Sequence, residues 1–336
     1  MNLKNLDTRI EKSSTPTVTV CIATYNRKSS LQHAIECVRF QTCQDYELII
    51  VDDCSQDGTD ELLLKRYRED PKLIRIRHSR NRGLAAARNT ALRNAKGKYF
   101  TFLDDDDRWE EDFLESFLKL AQGYDEQYCF CCGNRIYKKG GAIICTIPKM
   151  HGPLIHYIVQ GHTPPVAAQF YCTSQIKKIG GYDERIKSGV DHDLWLRLAF
   201  SGAWIKGLPK CLAEANTDKK RISMTTSYEN RAHGIDRSLE IWKQQIINNV
   251  GVGFYCHFRK CYRYYLCEKF FLISLLKGRL IESAYFFLSS PFKWRIIQKT
   301  FISLYYELLF RFGLIQEKKI IDRPLFPGYK FERTIS

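Results

Sequence analysis

The chain has 336 residues, enough for one large α/β domain and an extension. Hydrophobic residues make up 44% and charged residues 26%, which points away from disorder and from an integral membrane class, and no window reaches the roughly 18–20 apolar residues of a spanning helix. Fifty-two Lys and Arg face 37 Asp and Glu, a formal net charge of +15, and that field favours polyanionic partners such as nucleotides, nucleic acid or an anionic bilayer surface.

Residues 1–16 read as a polar tail without the apolar run of a secretory signal, so the 13 scattered cysteines are expected as thiols of a reducing cytosol. From Val18 onward, short apolar runs alternate with helical periodicity. Val18–Ala23, Glu47–Val51, Leu73–Arg77 and Tyr99–Leu103 read as strands, and helices are predicted near Ser29–Phe40, Gly58–Arg68 and Leu84–Ala95. This repeat predicts an α/β fold, a Rossmann-like and mostly parallel sheet with helices on both faces. Ligands of such sheets sit beyond the carboxyl ends of the strands. The residues found there are Thr24-Tyr25-Asn26-Arg27, Asp52-Asp53-Cys54-Ser55 and Asp104 to Asp107.

Beyond the aspartates, Phe113, Leu114, Phe117, Leu118 and Ala121 recur at helical spacing. Cys129, Cys131 and Cys132 lack the paired spacing of a zinc site and read as buried strand thiols. Tyr128–Tyr137 and Ala142–Ile147 suggest a β pair, His151–Pro165 a loop or lid, and Leu194, Trp195, Leu198 and Ala199 a helix ending near Gly202. The expected division is one α/β domain over 17–225, in two halves 17–107 and 108–225, followed by a basic, aromatic, mainly helical region 226–336. Residues 250–336 carry 15 Lys and Arg against 6 Asp and Glu.

Four adjacent carboxylates at Asp104–Asp107 repel one another, and a bound cation offsets that cost. Mg²⁺ or Mn²⁺ suits such oxygen ligands, for which Asp104 and Asp106 are the candidates. Other readings stay open from the pattern alone. Asp107 with Glu110 fits a capping box for a helix beginning near Trp109. Asp53 with Ser55, Asp57, Gly58 and Thr59 fits a turn and cap, Tyr25 a packed aromatic, and Arg88 a solvated charge. Asp191 and Asp193 fit a helix cap and first-turn acid, and the intervening His192 a residue facing packing or solvent.

Taken together, Val18-Thr19-Val20-Cys21-Ile22-Ala23-Thr24-Tyr25-Asn26-Arg27, Glu47-Leu48-Ile49-Ile50-Val51-Asp52-Asp53-Cys54-Ser55, Asn81-Arg82-Gly83 with Ala87-Arg88-Asn89, and Phe102-Leu103 with Asp104–Asp107 resemble the family 2 glycosyltransferases of the GT-A fold. The match runs over roughly Thr17 to Gly207. It implies inverting transfer of a sugar from a nucleotide-sugar, usually a UDP-sugar, to an acceptor hydroxyl. Implied donor-site residues are Thr24, Tyr25, Asn26, Arg27, Asp53, Arg88, Asp104 and Asp105. Thr24 and Tyr25 would lie near the base, Asp53 would accept from uracil, Asp104 would lie near the ribose, and Asp106 would ligate Mn²⁺ or Mg²⁺ under the diphosphate. Gly189-Val190-Asp191-His192-Asp193-Leu194-Trp195 resembles the later acidic motif of the family, which places the catalytic base at Asp191; the usual Glu of that pair is Val190 here.

The resemblance makes a glycan or lipid-linked glycan acceptor plausible, as in bacterial surface polysaccharide assembly, and a cytoplasmic site of action that includes the inner face of the plasma membrane. If His257–Arg279 is helical, Phe258, Cys261, Tyr265, Leu272, Leu275 and Leu276 form a stripe opposite Arg259, Arg263 and Lys277, which fits either an anionic membrane surface or a helical subdomain. Lys219-Lys220-Arg221 fits either a cover over the diphosphate or a solvated face. A nucleotidyltransferase would show a Gly-rich basic loop after the first strand, and Thr24–Ser30 has no glycine. Nucleic-acid binding has no reading motif here and leaves the acidic clusters unexplained.

Overall fold

Period-two alternation along the first strands sets the layers of the fold. In β1 (Val18–Thr24), Val18, Val20 and Ile22 enter one core while Cys21 enters the other. In β2 (Tyr46–Asp52), Leu48 and Ile50 oppose Ile49 and Val51 in the same way. A sheet apolar on both sides must be covered on both sides. The computed structural model describes residues 15–137, 143–159, 164–165, 167–215, 228–253, 255–256 and 259. The polar tail up to residue 14, Lys219-Lys220-Arg221 and almost all of the basic aromatic region beyond residue 253 lie outside the described residues.

The first half runs β1, α1 (Lys28–Arg39), β2, α2 (Thr59–Tyr67), β3 (Leu73–Arg77), α3 (Leu84–Asn94) and β4 (Tyr99–Phe102). There follow β5 (Arg108–Trp109), α4 (Phe113–Ala121), β6 (Tyr128–Tyr137), β7 (Ile143–Thr146), β8 (His151–Pro153) and α5 (Leu154–Val159). The chain continues through β9 (Gln169–Cys172), α6 (Thr173–Lys178), α7 (Val190–Phe200), β10 (Trp204–Ala215), α8 (Tyr228–Ile241) and α9 (Lys243–Val250). The strands form one sheet in the order β3-β2-β1-β4-β9-β6-β10-β5, with β7 on β6 and β8 on β10. Strands β3, β2, β1 and β4 are mutually parallel, as the repeat predicts, so their carboxyl ends open on one edge. Strand β9 runs antiparallel between β4 and β6, which joins the parallel half to the rest.

Helices α1, α2 and α4 cover one face through Leu31, Ile35, Val38, Leu63, Tyr67, Phe113 and Phe117. Helices α3, α5, α6, α7 and α8 cover the other through Ala87, Ala91, Leu92, Leu154, Ile158, Ile176, Leu194, Leu198 and Leu239. Each such large apolar side chain taken out of water contributes about 1.5–3 kcal/mol. Trp109 and Phe113 stack at 3.9 Å between centroids, and Phe117 stacks on Phe170 of β9 at 5.0 Å, locking α4 to the sheet.

Two local expectations are corrected. The segment at Trp109 is a short strand paired antiparallel with Ala213 and Glu214, and the helix begins only at Phe113, so Asp107 caps no helix there. Burying the indole on the sheet outweighs the capping-box pattern. His151–Pro165 is not wholly a loop: β8 pairs with Trp204–Lys206, and α5 buries Leu154 and Ile158. The expected β6–β7 pair is present in antiparallel register from Asn134 opposite Thr146 to Tyr137 opposite Ile143. Cys129, Cys131 and Cys132 are fully buried free thiols, and burial pushes the Cys132 thiol up to about 12. The expectation of thiols throughout is corrected at one position: Cys211 in β10 is disulfide-bonded.

Candidate active site

Three loops meet at the carboxyl edge. After β1, Asn26 takes a left-handed conformation (φ 52°), which asparagine tolerates. Its side-chain oxygen accepts from Gln56 N at 2.7 Å while its own N–H donates to Ser55 Oγ at 2.9 Å, pinning this loop to the one after β2. Tyr25 beside it is 46% exposed, so the packed-aromatic reading fails.

Asp53 does not cap α2, whose first turn is served by Asp57 through Thr59 N and Thr59 Oγ1. Instead its buried carboxylate accepts from Arg82 N at 2.9 Å and Gly83 N at 2.7 Å and pairs with His78 Nδ1 at 2.7 Å. His78 Nε2 in turn meets Thr90 Oγ1 of α3 at 2.9 Å. Three of the roughly four acceptor positions of the carboxylate are thereby taken, and the start of α3 is fixed against β2. His78 follows β3 as the other three loops follow their strands; the rule that selected those loops also selects this residue, which the sequence reading passed over.

After β4, burial alternates along the aspartates: Asp105 and Asp107 are buried, Asp104 and Asp106 partly exposed. Asp105 turns inward, accepting from Thr24 Oγ1 at 2.7 Å and Arg27 Nη1 at 2.7 Å. Burial pushes its carboxyl up to about 6, against the pull of Arg27 and the Thr24 hydrogen bond. Asp104 and Asp106 keep side chains 33% and 18% exposed, and Arg27 Nη1 lies 3.1 Å from Asp106. Two part-open carboxylates in one tight turn, closed by Asp107 N donating to Asp104 O at 3.0 Å, are a donor set that fits a hard divalent ion completing its shell with phosphate and water.

Arg88 joins this turn to the second acidic motif. It is 1% exposed, so the solvated-charge reading fails, and its guanidinium lies over the Phe102 ring, 3.6 Å from the centroid. Nη2 donates to Asp104 at 2.7 Å and Nη1 donates to Asp191 at 2.7 Å. Burial pulls the pKa of this side chain down, but Asp191 and Asp104 together hold it above the usual arginine value. Asp191 therefore belongs to the same site as the acidic turn, although 103 residues separate it from Arg88.

Asp191 lies in the first turn of α7, behind Gly189 in a left-handed conformation (φ 79°), and no side chain caps that helix. The cap reading of Asp191 is thus replaced by the Arg88 pair. Burial raises the Asp191 carboxyl above the usual aspartate range, Arg88 lowers it, and Asp104 raises it again. A carboxylate held firmly, with its proton affinity lifted, can take a proton from a hydroxyl.

Asp193 serves a different purpose from its neighbour. One of its oxygens accepts from Arg197 Nε at 2.9 Å and Nη2 at 2.7 Å, the other from Ser238 Oγ at 2.7 Å and Trp242 Nε1 at 2.8 Å. Arg197 Nη1 also donates to the carbonyls of Ile179 at 3.0 Å and Gly181 at 2.7 Å. Asn89 mimics a strand partner for Tyr182, donating to its carbonyl at 2.8 Å and accepting from its N–H at 2.8 Å. Apart from the Asp193–Arg197 pair at i, i+4, these positioning contacts join residues 16 to 93 apart in pairs that no local pattern reveals.

Residues 19–163 match the profile of Glycosyl transferase family 2. TuaG of Bacillus subtilis (strain 168), a glycosyltransferase named for teichuronic acid biosynthesis, is 30% identical over 216 residues, which cover 62% of this chain and 82% of that protein. Two rickettsial glycosyltransferases are longer proteins of which the chain spans about a third. Among solved structures, Staphylococcus aureus TarS (residues 1–349) in complex with UDP-GlcNAc superposes with a TM-score of 0.56 at 18% identity, covering 95% of this chain and 100% of the other. The mannosyltransferase PcManGT of Pyrobaculum calidifontis, in complex with GDP-Man and Mn²⁺, gives 0.55 at 18% identity, covering 90% and 80%. At such identities the two structures establish the shared fold.

Proposed function

Because the chain belongs to glycosyl transferase family 2, we propose that it is a metal-dependent, inverting glycosyltransferase that moves a sugar from a UDP-sugar to an acceptor hydroxyl in bacterial surface polysaccharide synthesis. The observation that carries this reading is the Asp104–Arg88–Asp191 bridge, which brings a carboxylate suited to proton abstraction to the turn that holds the part-exposed Asp104 and Asp106.

In this reading Asp191 takes the proton of the acceptor hydroxyl as its oxygen attacks the anomeric carbon. The bond to the diphosphate breaks on the opposite side, and the configuration inverts. Arg88 fixes the carboxylate and keeps it ionised. Tyr25 is exposed at the donor side and offers a face for the base, while Asn26 and Thr24 set the loop that carries it. The acceptor position that remains on Asp53 suits the imide N–H of uracil. Asp106, with Asp104 beside it, would hold Mn²⁺ or Mg²⁺. When bound, such an ion neutralises charge on the departing diphosphate. TarS bound to UDP-GlcNAc and PcManGT bound to Mn²⁺ favour the donor class and the ion.

The teichuronic acid assignment of TuaG favours a surface glycan as acceptor. A lipid-linked glycan would sit at a membrane, and the excess of Lys and Arg after residue 250 suits attachment at an anionic inner surface. A panel of nucleotide sugars, each with and without Mn²⁺, tests the reading: one UDP-sugar should raise the melting temperature only with metal and yield a product of inverted configuration by NMR. Retained configuration, or stabilisation by no UDP-sugar, refutes it.

A further inference from the structure

The base-bearing segment is gripped from behind by a helix that the sequence places outside the catalytic domain. Gly234, Ser238 and Trp242 fall at i, i+4 and i+8, a single stripe along α8 and its immediate end. All three touch the segment around Asp191. At Gly234 the two backbones approach so closely that an added methyl would collide with the carbonyl of Ser188, the residue before Gly189. One turn on, Ser238 Oγ donates to Asp193 at 2.7 Å, and one further turn on, Trp242 Nε1 donates to the same oxygen at 2.8 Å. The Trp242 ring also lies under Arg197, 5.3 Å from the guanidinium carbon, completing the cage around Asp193.

Asp191 and Asp193 stand two residues apart on α7, so they project from nearly opposite sides of its first turn. One faces Arg88, the other α8. The first turn of a helix has unpaired N–H groups and frays unless something holds it, and here no side-chain cap does so. Asp193 is 1% exposed and its charge is paired and hydrogen-bonded throughout, which makes it a rigid anchor.

We propose that α8 is the positioning element of the catalytic base: Gly234, Ser238 and Trp242 hold Ser188–Asp193 so that the Asp191 carboxylate stays on Arg88. The proposal rests on the reading of Asp191 as base. Ser238 and Trp242 are positioning residues whose side chains donate to Asp193, so their loss should act on turnover and leave donor binding intact. A misplacement of about 1 Å at a reacting group costs up to about 100-fold in rate.

The test compares Ser238→Ala, Trp242→Phe and Ser238→Thr in the full chain. Ser238→Ala removes one donor and nearly keeps the shape, Trp242→Phe removes the indole N–H with part of the ring, and the third keeps the hydroxyl. Ser238→Ala and Trp242→Phe should lower kcat per folded molecule about 10- to 100-fold, with donor KM and UDP affinity within about twofold. Ser238→Thr should restore most of kcat. Hydrogen exchange at the amides of 193–196, the first to bond within α7, should quicken in the first two variants alone. Unchanged kcat per folded molecule in both, with Asp191→Asn inactive, overturns the proposal and leaves the base in place. Near-normal turnover in Asp191→Asn overturns the reading of the base and this proposal with it.

Discussion

Replacing Arg88 with Gln removes the charge that links the two acidic motifs and leaves a polar side chain too short to reach both carboxylates. The Asp191 side chain is 13% exposed and that of Asp104 is 33% exposed, so the two lost pairs count differently. Breaking a buried pair leaves one charge uncompensated and costs about 3–5 kcal/mol, whereas the more open Asp104 pair is screened and adds about 1 kcal/mol or less. A net loss of about 4 kcal/mol is expected, since Asp191 can recover part of the cost by taking up a proton. For a domain of this size each kcal/mol shifts the melting temperature by about 2–4 °C, so the drop should be about 8–16 °C in thermal unfolding followed by circular dichroism. Arg88→Lys keeps the charge but not the fork that spans both carboxylates, and should fall between the two. A loss under about 1 kcal/mol in Arg88→Gln would refute the view that this side chain is the buried link of the site.

Further outcomes are expected from the same geometry. Asp191 must be ionised to act, and its carboxyl is raised by burial, lowered by Arg88 and raised by Asp104; the acid limb of kcat/KM should therefore lie above the usual value of about 3.9. It should move to still higher pH in Arg88→Gln, and a limb at or below the usual value in both proteins would count against Asp191. Asp106→Ala should abolish the Mn²⁺-dependent part of UDP binding in calorimetry, and unchanged affinity with Mn²⁺ would remove Asp106 as a ligand. Burial pushes the Cys21 and Cys132 thiols up to about 12 and those of Cys129 and Cys131 well up. These four should resist a thiol reagent at pH 8 until the chain is unfolded, whereas the exposed Cys256 should react at once; rapid labelling of Cys129 in the native protein would contradict the packing of β6. Deleting residues after 259 should reduce sedimentation with anionic liposomes, and an unchanged pellet fraction would argue against surface attachment.

Strand alternation and the order of the motifs made the parallel half of the sheet legible, because β1, β2 and β4 each carry a two-sided apolar pattern and β3, at the edge, keeps one apolar face. Asp104, Asp106 and Asp191 were legible as motif positions, and the structure brings the turn that holds the first two to the third. Where the reading stopped short, the missing information was tertiary. Arg88 looks like a mid-helix charge until Asp104 and Asp191 converge on it from two other elements. Asp53 reads equally as a cap or a ligand, and only the chain passing through Arg82 and Gly83 shows that it also secures α3. The strand at Trp109 escaped because its partner, β10, lies a hundred residues away, and stacking on Phe113 outweighs a local capping pattern. Asp193 and Asp191 look alike in sequence; α8, which begins across residues that carry no motif, is what separates their roles.

The measurement closest to the heart of this account is a paired assay on Asp191→Asn, which keeps size and shape and removes the proton acceptor. UDP binding with Mn²⁺ should stay within about twofold of the parent chain while sugar transfer falls by at least about 100-fold. Transfer near the parental rate would contradict the account, whatever the donor affinity proves to be.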